Sequence, residues 1–544
     1  MTKTIIYSCV FFNEKYIHLI DLLLKSYKLF GNSPDDDDYL IICNSNFQKK
    51  IQAIFDNLNI SGKIWCIDLK TKFDAAYSRL KIFDYPDINL YNKILYLDCD
   101  ILVTNSINKI LDFQLENKLY ALKERCHRNY HCKLFTHEEY ELLDKNSTFS
   151  SGILLFNNHK VIKDLFSQIL LHIHNHITSM LPIPDCLDQP FIVYHAVKNN
   201  LYDNKKLINI VINNPNNFNN ETISHFPGGV GHYESKIVKM TNFMNNVMFN
   251  INKNNYFKIQ IDDYKTILDN NKNHFDKLYT ICKEIGEKVE GNCFTAHLNI
   301  DNTINELIYK QLNHFSLGMN ATNIMEIGFN AGHSSLLYLL ANPNSKLTIF
   351  DLCEHKYTLP CFTYLQSIFP NRLEIFPGDS TKTVPEFYNM NPNTKFDLIH
   401  IDGGHFGDIP NSDFYNSLKL ASDIIIWDDT QIETLNNLLD GYIYNGLVNE
   451  IFMYKTILYK HRICRVNRLL NKQYNWQDSP ITFLKNGKMN AFGTGKYKFI
   501  DKYLVKCEFG GRKHLLKFNK DYSTFISIRK DDFDIVVGHQ NYQE

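Results

Sequence analysis

The sequence predicts two α/β domains followed by a small all-β domain. Strand-like and helix-like segments alternate over residues 1–100 and again over residues 324–430, a pattern that builds mostly parallel sheets. From Tyr474 to Gly538, short apolar runs are separated by Gly, Asn and Asp turns, which is typical of an antiparallel sandwich or barrel. A chain of 544 residues is too long for one hydrophobic core. We therefore expect four regions: residues 1–255, a helical connector over 256–298, residues 299–470 and residues 471–544.

The composition is that of a globular protein, with 44% hydrophobic and 22% charged residues. The formal net charge of −1 argues against a general attraction to nucleic acid or anionic membranes. No stretch reaches the roughly 20 apolar residues of a membrane helix, and the apolar run Thr4–Phe12 ends too early for a signal peptide. We expect no nucleic-acid partner, no membrane insertion and a cytoplasmic location. If the Asn-, Ile-, Lys- and Tyr-rich composition reflects a viral source, this is the host cytoplasm. The sequence is silent on oligomeric state.

The 13 cysteines are scattered without a CxxC pair, which is typical of reduced cytosolic proteins. The segment Cys126–Cys132 offers two cysteines and two histidines, but their spacing matches no standard zinc finger. It is either a zinc site or a loop with buried thiols. His172, His174 and His176 resemble a metal comb, yet they lie in an apolar helical pattern that favours a structural role.

The first region begins with alternating strands and helices. The apolar patterns predict strands over Ile5–Phe12, Tyr39–Cys43 and Lys63–Leu69, and helices over Tyr16–Phe30, Phe47–Leu58 and Ala75–Phe83. The next buried strand ends in Asp98, and Asp100 follows one residue later. In isolation such a pair is more often a turn or a solvated edge. After a buried strand, two carboxylates need a cation, and a cation held by few protein oxygens can bind a diphosphate.

Five sequence blocks around this pair resemble family 8 glycosyltransferases, the glycogenin and lipopolysaccharide galactosyltransferase group. In chain order they are AAYSRLKIFDYP, YNKILYLDCDILV, FSSGILLFN, DQPFIVY and HFPGG. The resemblance implies a GT-A fold, a Rossmann-like domain that binds a nucleotide sugar, most often a UDP-sugar, and transfers the sugar with retention of configuration. It also implies that Asp98, Asp100 and His225 hold Mn²⁺, since oxygen ligands with one imidazole suit that metal.

The same resemblance implies further site residues. Asn13 and Tyr16 match the block that contacts the nucleobase, Arg79 the basic residue near the phosphates, and Asp188 and Gln189 the pair beside the donor sugar and the reacting centre. No nucleophile is assigned. Ser150 stands where many relatives carry Asn. The family's lysine after the metal histidine is missing, and Lys236 is the candidate substitute.

The second α/β region contains a glycine turn between a strand and a helix. Gly328 and Gly332 form a G-x-x-x-G turn preceded by Glu326, and the next strand ends in Asp351, where an acid can accept hydrogen bonds from both ribose hydroxyls. With the later Asp379 and Ser380, this pattern resembles the class I S-adenosylmethionine methyltransferases. G-x-x-x-G alone is a weak signal, because it also occurs where helices pack.

Two later strands end in carboxylates. Asp402 follows Asp397–Ile401, and Asp428 and Asp429 follow Ile424–Trp427, so the acids should meet at one sheet edge and require a cation such as Mg²⁺. This arrangement is similar to the metal-dependent sugar O-methyltransferases of macrolide biosynthesis, which implies that the three aspartates bind Mg²⁺ and that His405 is the general base. The alternatives are a solvated helix cap for the aspartate pair and a supporting role for His405.

The sequence thus predicts a bifunctional enzyme that transfers a sugar to a glycan acceptor and O-methylates a sugar hydroxyl. Trp476, Phe492 and Tyr497 in the β region could stack on sugars, although such aromatics are more often core residues. The alternatives are a glycan-binding or scaffold protein with one or both catalytic domains inactive, and a protein-directed, glycogenin-like transferase.

Overall fold

We describe the chain from a computed structural model. The structure describes residues 3–31, 39–124, 134–136, 138–139, 148–219, 221–228, 233–250, 259–294, 307–456, 459–477 and 479–541. The candidate zinc segment Cys126–Cys132 lies outside these residues. The chain divides into two compact units: one of Met1–Asn252, Asn475–Asp478 and Tyr503–Tyr542, the other of Lys253–Tyr474, Ser479–Lys502 and Gln543–Glu544.

The N-terminal region is a mixed α/β fold. Its strands are β1 (Thr4–Val10), β2 (Tyr39–Cys43), β3 (Lys63–Cys66), β4 (Lys93–Leu97), β5 (Ile101–Val103), β6 (Leu119–Lys123), β7 (Phe149–Asn157), β8 (Tyr202–Asp203), β9 (Val211–Asn213) and β10 (Ile223–His225). Its α-helices span Lys15–Ser26, Gln48–Leu58, Lys72–Tyr77, Asn108–Leu111, Lys160–Thr178, Gln189–Lys198 and Tyr233–Asn250. Short 3₁₀ turns lie at Ser45–Phe47, Ser78–Asp84 and Ile88–Leu90, and a π-turn at Tyr27–Gly31.

Seven of these strands form one sheet in the order β3-β2-β1-β4-β7-β6-β8. Strands β1 to β4 are parallel, and β7 is antiparallel to β4. The strand order reverses between β1 and β4, so ligands are expected in the crevice beyond the carboxyl ends of these two strands. The predicted helix over Ala75–Phe83 is divided, because the α-helix ends at Tyr77 and a 3₁₀ turn carries Arg79.

The second α/β region has its own set of strands and helices. Its strands are β11 (Asn323–Ile327), β12 (Lys346–Asp351), β13 (Leu373–Pro377), β14 (Phe396–Ile401), β15 (Ala421–Trp427), β16 (Val448–Ile451) and β17 (Arg462–Val466). Its helices span Ile261–Asn270, Lys272–Ile285, Ile308–Gly318, His333–Ala341, Thr358–Ile368, Ser380–Met390, Ile409–Leu420 and Glu433–Tyr444. Tyr264, Phe275 and Leu278, from the segment predicted as a connector, pack into the same core as Ile324 and Leu336.

The second sheet has the order β13-β12-β11-β14-β15-β17-β16, with β11 to β15 parallel and β17 antiparallel to its neighbours. The order reverses between β11 and β14. The glycine turn follows the first of these strands and Asp402 the second, so both lie at the crevice where doubly wound sheets bind nucleotides.

The C-terminal region is a closed barrel of eight strands, which confirms the predicted all-β region. The strands are β18 (Gln473–Trp476), β19 (Ser479–Phe483), β20 (Lys488–Asn490), β21 (Thr494–Asp501), β22 (Leu504–Phe509), β23 (Arg512–Phe518), β24 (Thr524–Arg529) and β25 (Ile535–Gln540). Trp476 and Tyr497 are buried, whereas Phe492 is 61% exposed. Of the three aromatics considered as sugar platforms, two are therefore core residues.

Candidate active sites

The topology brings Asp98, Asp100 and His225 together. Strand β4 ends one residue before Asp98, and β5 begins one residue after Asp100 and pairs with β10, placing His225 opposite Ile101. The Phe226 amide donates to the Asp100 carbonyl at 2.9 Å, which fixes this approach. One ligand atom from each of the three side chains lies within 4.8 Å of the other two.

The polar atoms of this group fit a divalent cation. The Nδ1 of His225 lies 2.8 Å from the amide oxygen of Asn213, which can only accept, so Nδ1 carries the proton. The unprotonated Nε2 then faces Oδ1 of Asp100 at 3.4 Å, and that oxygen is buried without a hydrogen-bond partner. Two electron pairs directed at each other are unfavourable unless a cation lies between them. Oxygen ligands and one imidazole suit Mn²⁺.

Gly152 leaves no room for a side chain behind this group. A Cβ atom at this position would lie 2.7 Å from Cε1 of His225 and 3.0 Å from Oδ2 of Asp98. The Gly152 carbonyl also accepts a hydrogen bond from the Asp98 amide at 2.9 Å. The glycine of the FSSGILLFN block is therefore required by the close approach of three chain segments.

Arg79 joins the two acidic parts of the site. Its guanidinium lies 3.3 Å from Oδ1 of Asp98 and 3.1 Å from Oδ2 of Asp188, and it donates to the Ser151 carbonyl at 2.7 Å. It also lies 4.7 Å from the centre of the Tyr96 ring. The group is 10% exposed. Its present partners are thus protein groups that hold it at the edge of the metal-ligand cluster.

Asp188 and Gln189 lie next to each other at the start of the helix Gln189–Lys198. Burial raises the pKa of Asp188 to about 6, although Arg79 opposes this rise. Gln189 donates to Glu124 at 2.9 Å and accepts from the Ser151 amide at 3.2 Å. The preceding Leu187 has φ 54, a conformation that costs energy for a bulky residue and is typical of functional sites.

Lys236 lies at the metal-ligand cluster. Its ammonium is 2.6 Å from Oδ2 of Asp100 and 15% exposed. Burial alone would raise the pKa of Asp100, but His225, when both of its ring nitrogens are protonated, and the Lys236 ammonium lower it to about 2. The sequence suggested Lys236 only as a substitute for a missing lysine, and its contact with an acid of the cluster was not predicted.

Asn13 and Tyr16 lie beyond the carboxyl end of β1. The Asn13 side chain accepts from the Lys15 amide at 3.0 Å, and the Tyr16 ring packs edge-on against Tyr233 at 5.0 Å. The predicted nucleobase block is therefore on the same edge of the sheet as Asp98.

Two of the three histidines on the helix Lys160–Thr178 have partners within the protein, and the third, His174, is exposed. His172 shares a 3.0 Å hydrogen bond with His195, and His176 contacts the Pro182 carbonyl at 2.9 Å. These contacts agree with the structural role favoured by the sequence.

The glycine turn of the second region is tightly packed. Gly328 and Gly332 have φ values of 91 and 80, and a Cβ atom at Gly328 would lie 2.0 Å from the Asp402 carbonyl oxygen. Only glycine combines this conformation with this approach. The turn connects β11 to the helix His333–Ala341, so it lies at the crevice where the strand order reverses.

Asp351 stabilises the glycine turn. Its Oδ2 accepts from the amides of Phe329 at 2.7 Å and Asn330 at 3.0 Å, and its Oδ1 accepts from the Cys353 amide at 2.6 Å. Asn330 and Cys353 both have positive φ values. The predicted ribose acid thus lies at the expected place, with its carboxylate holding both loops at this edge of the sheet.

Asp379 and Ser380 begin the helix after β13. Asp379 caps the helix by accepting from the Thr381 amide at 3.0 Å. The Ser380 side chain faces Asp413, a fully buried carboxylic acid that was not predicted from the sequence. Burial raises the pKa of Asp413 to about 6, and Ser380 moderates the rise.

Asp402, Asp429 and His405 form a second candidate metal group, with ligand atoms within 4.8 Å of one another. The Nε2 of His405 lies 3.0 Å from Oδ2 of Asp429, which raises the pKa of His405. Burial and the charge of Asp428 raise the pKa of Asp402 to about 8. A bound cation would favour the ionised form of Asp402, and carboxylate oxygens are the ligands that Mg²⁺ prefers.

Asp428 has other partners. Its Oδ1 lies 2.7 Å from the Lys310 ammonium and accepts from the Asp429 amide at 2.8 Å, and its Oδ2 lies 3.2 Å from Nε2 of His400. Burial alone would raise the pKa of Asp428, but Lys310 and His400 lower it well below its usual range. Of the three predicted Mg²⁺ ligands, two therefore meet at His405, and the third faces a buried ammonium and imidazole.

Glu326 was predicted as a cofactor-binding residue. It is fully buried and accepts from Ser334 and Ser335 on the helix after the glycine turn. It also contacts Nδ1 of His400 at 2.9 Å. His400 and Lys310 were not predicted from the sequence. The only signal was a histidine within an apolar strand and a lysine within an apolar helical segment.

Comparisons with known proteins agree with this organisation. Residues 39–195 match the family model Glycosyl transferase family 8, and residues 325–430 match the model of a methyltransferase domain. These matches, with the sheet topologies above, confirm a family 8 glycosyltransferase domain and a methyltransferase domain. No curated protein matches the chain significantly.

Several solved structures are similar to parts of the chain. The WbbM bifunctional glycosyltransferase is 15% identical with a TM-score of 0.32, over 44% of this chain and 50% of that one. The chain thus spans about half the length of WbbM. An O-methyltransferase from Bacillus cereus, in complex with SAH, is 16% identical with a TM-score of 0.28, over 36% of this chain and 91% of that one. The glycosyltransferase GlyE of Streptococcus pneumoniae is 13% identical with a TM-score of 0.28, over 76% of this chain and 90% of that one.

None of the helices within the described residues combines the length and the apolar character that crossing a membrane requires.

Proposed function

We propose that this chain, with its family 8 glycosyltransferase domain and its methyltransferase domain, is a bifunctional glycan-modifying enzyme. The first domain transfers a sugar, with retention, from a nucleotide sugar of the UDP-sugar class to a glycan acceptor in a Mn²⁺-dependent reaction. The second domain transfers a methyl group from S-adenosylmethionine to a sugar hydroxyl with the help of Mg²⁺. The observation that carries the proposal is the pair of carboxylate and histidine groups, one at the ligand-binding edge of each sheet.

In the first domain, Asp98, Asp100 and His225 would hold the Mn²⁺ ion, which supplies charge neutralisation for the diphosphate leaving group. The Lys236 ammonium contacts the proposed metal ligand Asp100, so it lies near the place of a metal-bound phosphate and would stabilise the charge of the leaving group. Arg79 holds Asp98 and Asp188 in fixed positions. Asn13 and Tyr16 contact the nucleobase, and Asp188 and Gln189 orient the donor sugar.

In the second domain, the glycine turn and Asp351, Asp379 and Ser380 bind the cofactor. S-adenosylmethionine supplies the methyl group, and Asp402 and Asp429 would hold a Mg²⁺ ion, which would supply Lewis-acid chemistry to the acceptor oxygens. Because Nε2 of His405 faces Asp429, His405 accepts the acceptor's hydroxyl proton at Nδ1. Asp429 then stabilises the imidazolium. Asp428, the third predicted ligand, accepts a hydrogen bond from the Asp429 amide and so helps to hold Asp429 in place.

Both domains on one chain raise the local concentration of one product at the other site. The sugar that is added first is therefore the preferred substrate for methylation. The barrel is a candidate glycan-binding region, with Phe492 as its exposed aromatic.

A screen for nucleotide-sugar hydrolysis with MnCl₂ tests the first activity. We expect turnover of at least one UDP-sugar by the wild type and a loss of about 1,000-fold in Asp100→Ala, because a metal ligand is removed. Asp84→Ala, which changes an exposed carboxylate of the same domain, should keep full activity. If no donor is hydrolysed with any divalent metal, the protein is a glycan-binding or scaffold protein at this domain.

Binding and methylation assays test the second activity. Calorimetry should detect S-adenosylmethionine binding that Asp351→Ala weakens by about 10-fold or more, and unchanged affinity would remove the ribose assignment. His405→Ala should bind the cofactor normally but methylate sugar acceptors at least about 100-fold more slowly, the usual contribution of a general base. Asp263→Ala, at an exposed acid, is the matched control.

A further inference from the structure

Four charged side chains lie buried beneath the methyltransferase site. Glu326 is fully inaccessible, His400 is 1% exposed, Asp428 3% and Lys310 5%. Buried charges are costly unless they are paired and hydrogen-bonded. These four residues satisfy that requirement with one another, and only Glu326 and Asp428 were considered functional on sequence grounds.

The sheet register places three of these groups in a row. Strands β11, β14 and β15 are neighbours, and Glu326 is directly opposite His400. Nδ1 of His400 lies 2.9 Å from Oε1 of Glu326, and Nε2 lies 3.2 Å from Oδ2 of Asp428, just beyond β15. The Lys310 ammonium completes the row at 2.7 Å from Oδ1 of Asp428.

The hydrogen-bond chemistry makes the row a neutral unit. Carboxylates only accept, so both ring nitrogens of His400 donate, one to each acid. An imidazolium and the Lys310 ammonium then balance the charges of Glu326 and Asp428. The charges of the row thus balance one another within the protein.

The two acids of the row, Glu326 and Asp428, each contact a different part of the active site. At one end, Glu326 accepts from Ser334 and Ser335, the first residues of the helix that follows the glycine turn for the cofactor. At the other end, Asp428 accepts from the amide of Asp429, whose φ of 52 turns its carboxylate toward Asp402 and His405. His400 is the only link between the two acids in this row of described residues.

We infer that His400 is a positioning residue that couples the cation site at Asp402 and Asp429 to the cofactor site at the glycine turn, so that a divalent cation and the cofactor bind cooperatively. This inference rests on the proposed methyltransferase function. The physical reason is packing: the interior is dense and each member of the row is hydrogen-bonded to the next, so a shift of Asp428 requires a matching shift of His400 and Glu326. Coupling between two sites is a free energy and is reciprocal.

The test is calorimetry of the whole chain with S-adenosylhomocysteine, in EDTA and in excess MgCl₂. For the wild type we expect Mg²⁺ to tighten S-adenosylhomocysteine binding by about 10-fold, within the range usual for coupled sites. In His400→Asn, which keeps a donor near Nδ1, and in His400→Gln, which keeps one near Nε2, the factor should fall below about 2-fold. Affinity in EDTA should stay within about 3-fold of the wild type, because neither side chain contacts the cofactor.

The matched control is Arg465→Gln. It breaks another buried ion pair of the same sheet, Arg465 with Asp423 at 2.7 Å, at the opposite end of β15. This variant should lose stability but keep the Mg²⁺ effect. The reciprocal measurement is Mn²⁺ binding by electron paramagnetic resonance in an Asp100→Ala background, so that the first site does not contribute. S-adenosylhomocysteine should tighten Mn²⁺ binding by the same factor by which MnCl₂, used in place of MgCl₂ in the calorimetry, tightens S-adenosylhomocysteine binding in that background.

The outcomes separate the inference from the function on which it rests. If the wild type binds S-adenosylhomocysteine but Mg²⁺ leaves its affinity unchanged, the coupling is absent and the inference is wrong. The same holds if both folded His400 variants retain the wild-type factor. If the wild type does not bind S-adenosylhomocysteine at all, the proposed methyltransferase function fails instead.

Discussion

The two active-site regions hold similar acids at the same place in a sheet, but their balancing cations lie in different places. In the glycosyltransferase domain, Lys236 contacts Asp100 from the helix Tyr233–Asn250 and is 15% exposed. In the methyltransferase domain, Lys310 contacts Asp428 with only 7% of its side chain exposed and belongs to a row of buried charges. The first ammonium can reach a ligand, whereas the second is part of the core.

The two regions therefore differ in whether their acids can exchange the groups that balance their charge. Acids balanced by reachable groups can exchange those partners for a metal ion or a phosphate, so changes there should affect activity more than folding. Acids balanced inside the core cannot exchange partners without leaving a buried charge unpaired. Changes there should affect folding as well.

Lys310→Met should destabilise the methyltransferase unit by about 3–5 kcal/mol, because the buried Asp428 carboxylate loses one of the two basic groups that contact it. Urea unfolding followed by circular dichroism measures the change as a shift of one transition of this two-unit protein. Lys50→Met is the control, since it removes an exposed pair with Glu14 and should leave the free energy of unfolding almost unchanged. A loss below about 1 kcal/mol in Lys310→Met would mean that the row does not stabilise the core.

The contrast also decides what could be predicted from the sequence. Asp98 and Asp100 were predictable because two acids directly follow a buried strand, and His225 because it lies in a block of fixed order. Lys310 was not, because it lies 118 residues before Asp428 and nothing in a helical pattern says which distant charge it meets. His400 was hidden because an apolar strand pattern does not reveal hydrogen bonds to neighbouring strands.

The fold shows the same division between local and distant information. The order of strands and helices in both α/β domains followed from periodicity, since each element is a local pattern. In the barrel, the short apolar runs predicted as strands correspond to β19, β22, β23, β24 and β25, but β18, β20 and β21 were missed. Strand β21 alternates lysines with Tyr497 and Phe499, and its burial depends on neighbours that are distant in sequence. Closure of the sheet likewise depends on pairing between distant strands.

His333→Phe should make the methyltransferase unit less sensitive to acid. Burial lowers the pKa of His333 to about 4 from an ordinary value of 6.5, so the unfolded chain binds more protons between these pH values. Stability is therefore fully present above pH 6.5 and falls as the pH drops toward 4, by up to about 3 kcal/mol. Phenylalanine can pack on Tyr279 and Phe294, the ring neighbours of His333, without a titrating group.

The measurement for this variant is the free energy of unfolding of the second unit at several pH values. The wild-type curve should fall below pH 6.5, and the His333→Phe curve should fall less steeply. His18→Phe, at an exposed histidine in the first unit, should leave the slope unchanged. Equal slopes for the wild type and His333→Phe would show that other groups cause the acid sensitivity.

Gly152→Ala should weaken Mn²⁺ binding at the first site by about 10-fold, or about 1.4 kcal/mol, while the domain stays folded. The new methyl group would lie 2.7 Å from the His225 ring, so one ligand must move away from Asp98. Mn²⁺ titration in an Asp402→Asn background measures the first site alone. Gly441→Ala, with no atom within 4 Å of its added Cβ, is the control. Unchanged affinity would show that the ligands can shift freely.

Lys236→Met should have the smallest effect on folding and a specific effect on catalysis. With MnCl₂ present, the free energy of unfolding should change by less than about 1 kcal/mol, because the metal ion can replace the ammonium as the partner of Asp100. The KM for the nucleotide sugar should rise about 5-fold, since a cation near the diphosphate is lost, and Lys236→Arg should restore most of it. Donor-concentration series of the hydrolysis rate measure both variants. If KM is unchanged and the unfolding loss persists with Mn²⁺, Lys236 is a structural counter-ion like Lys310. The two regions would then balance their acids in the same way.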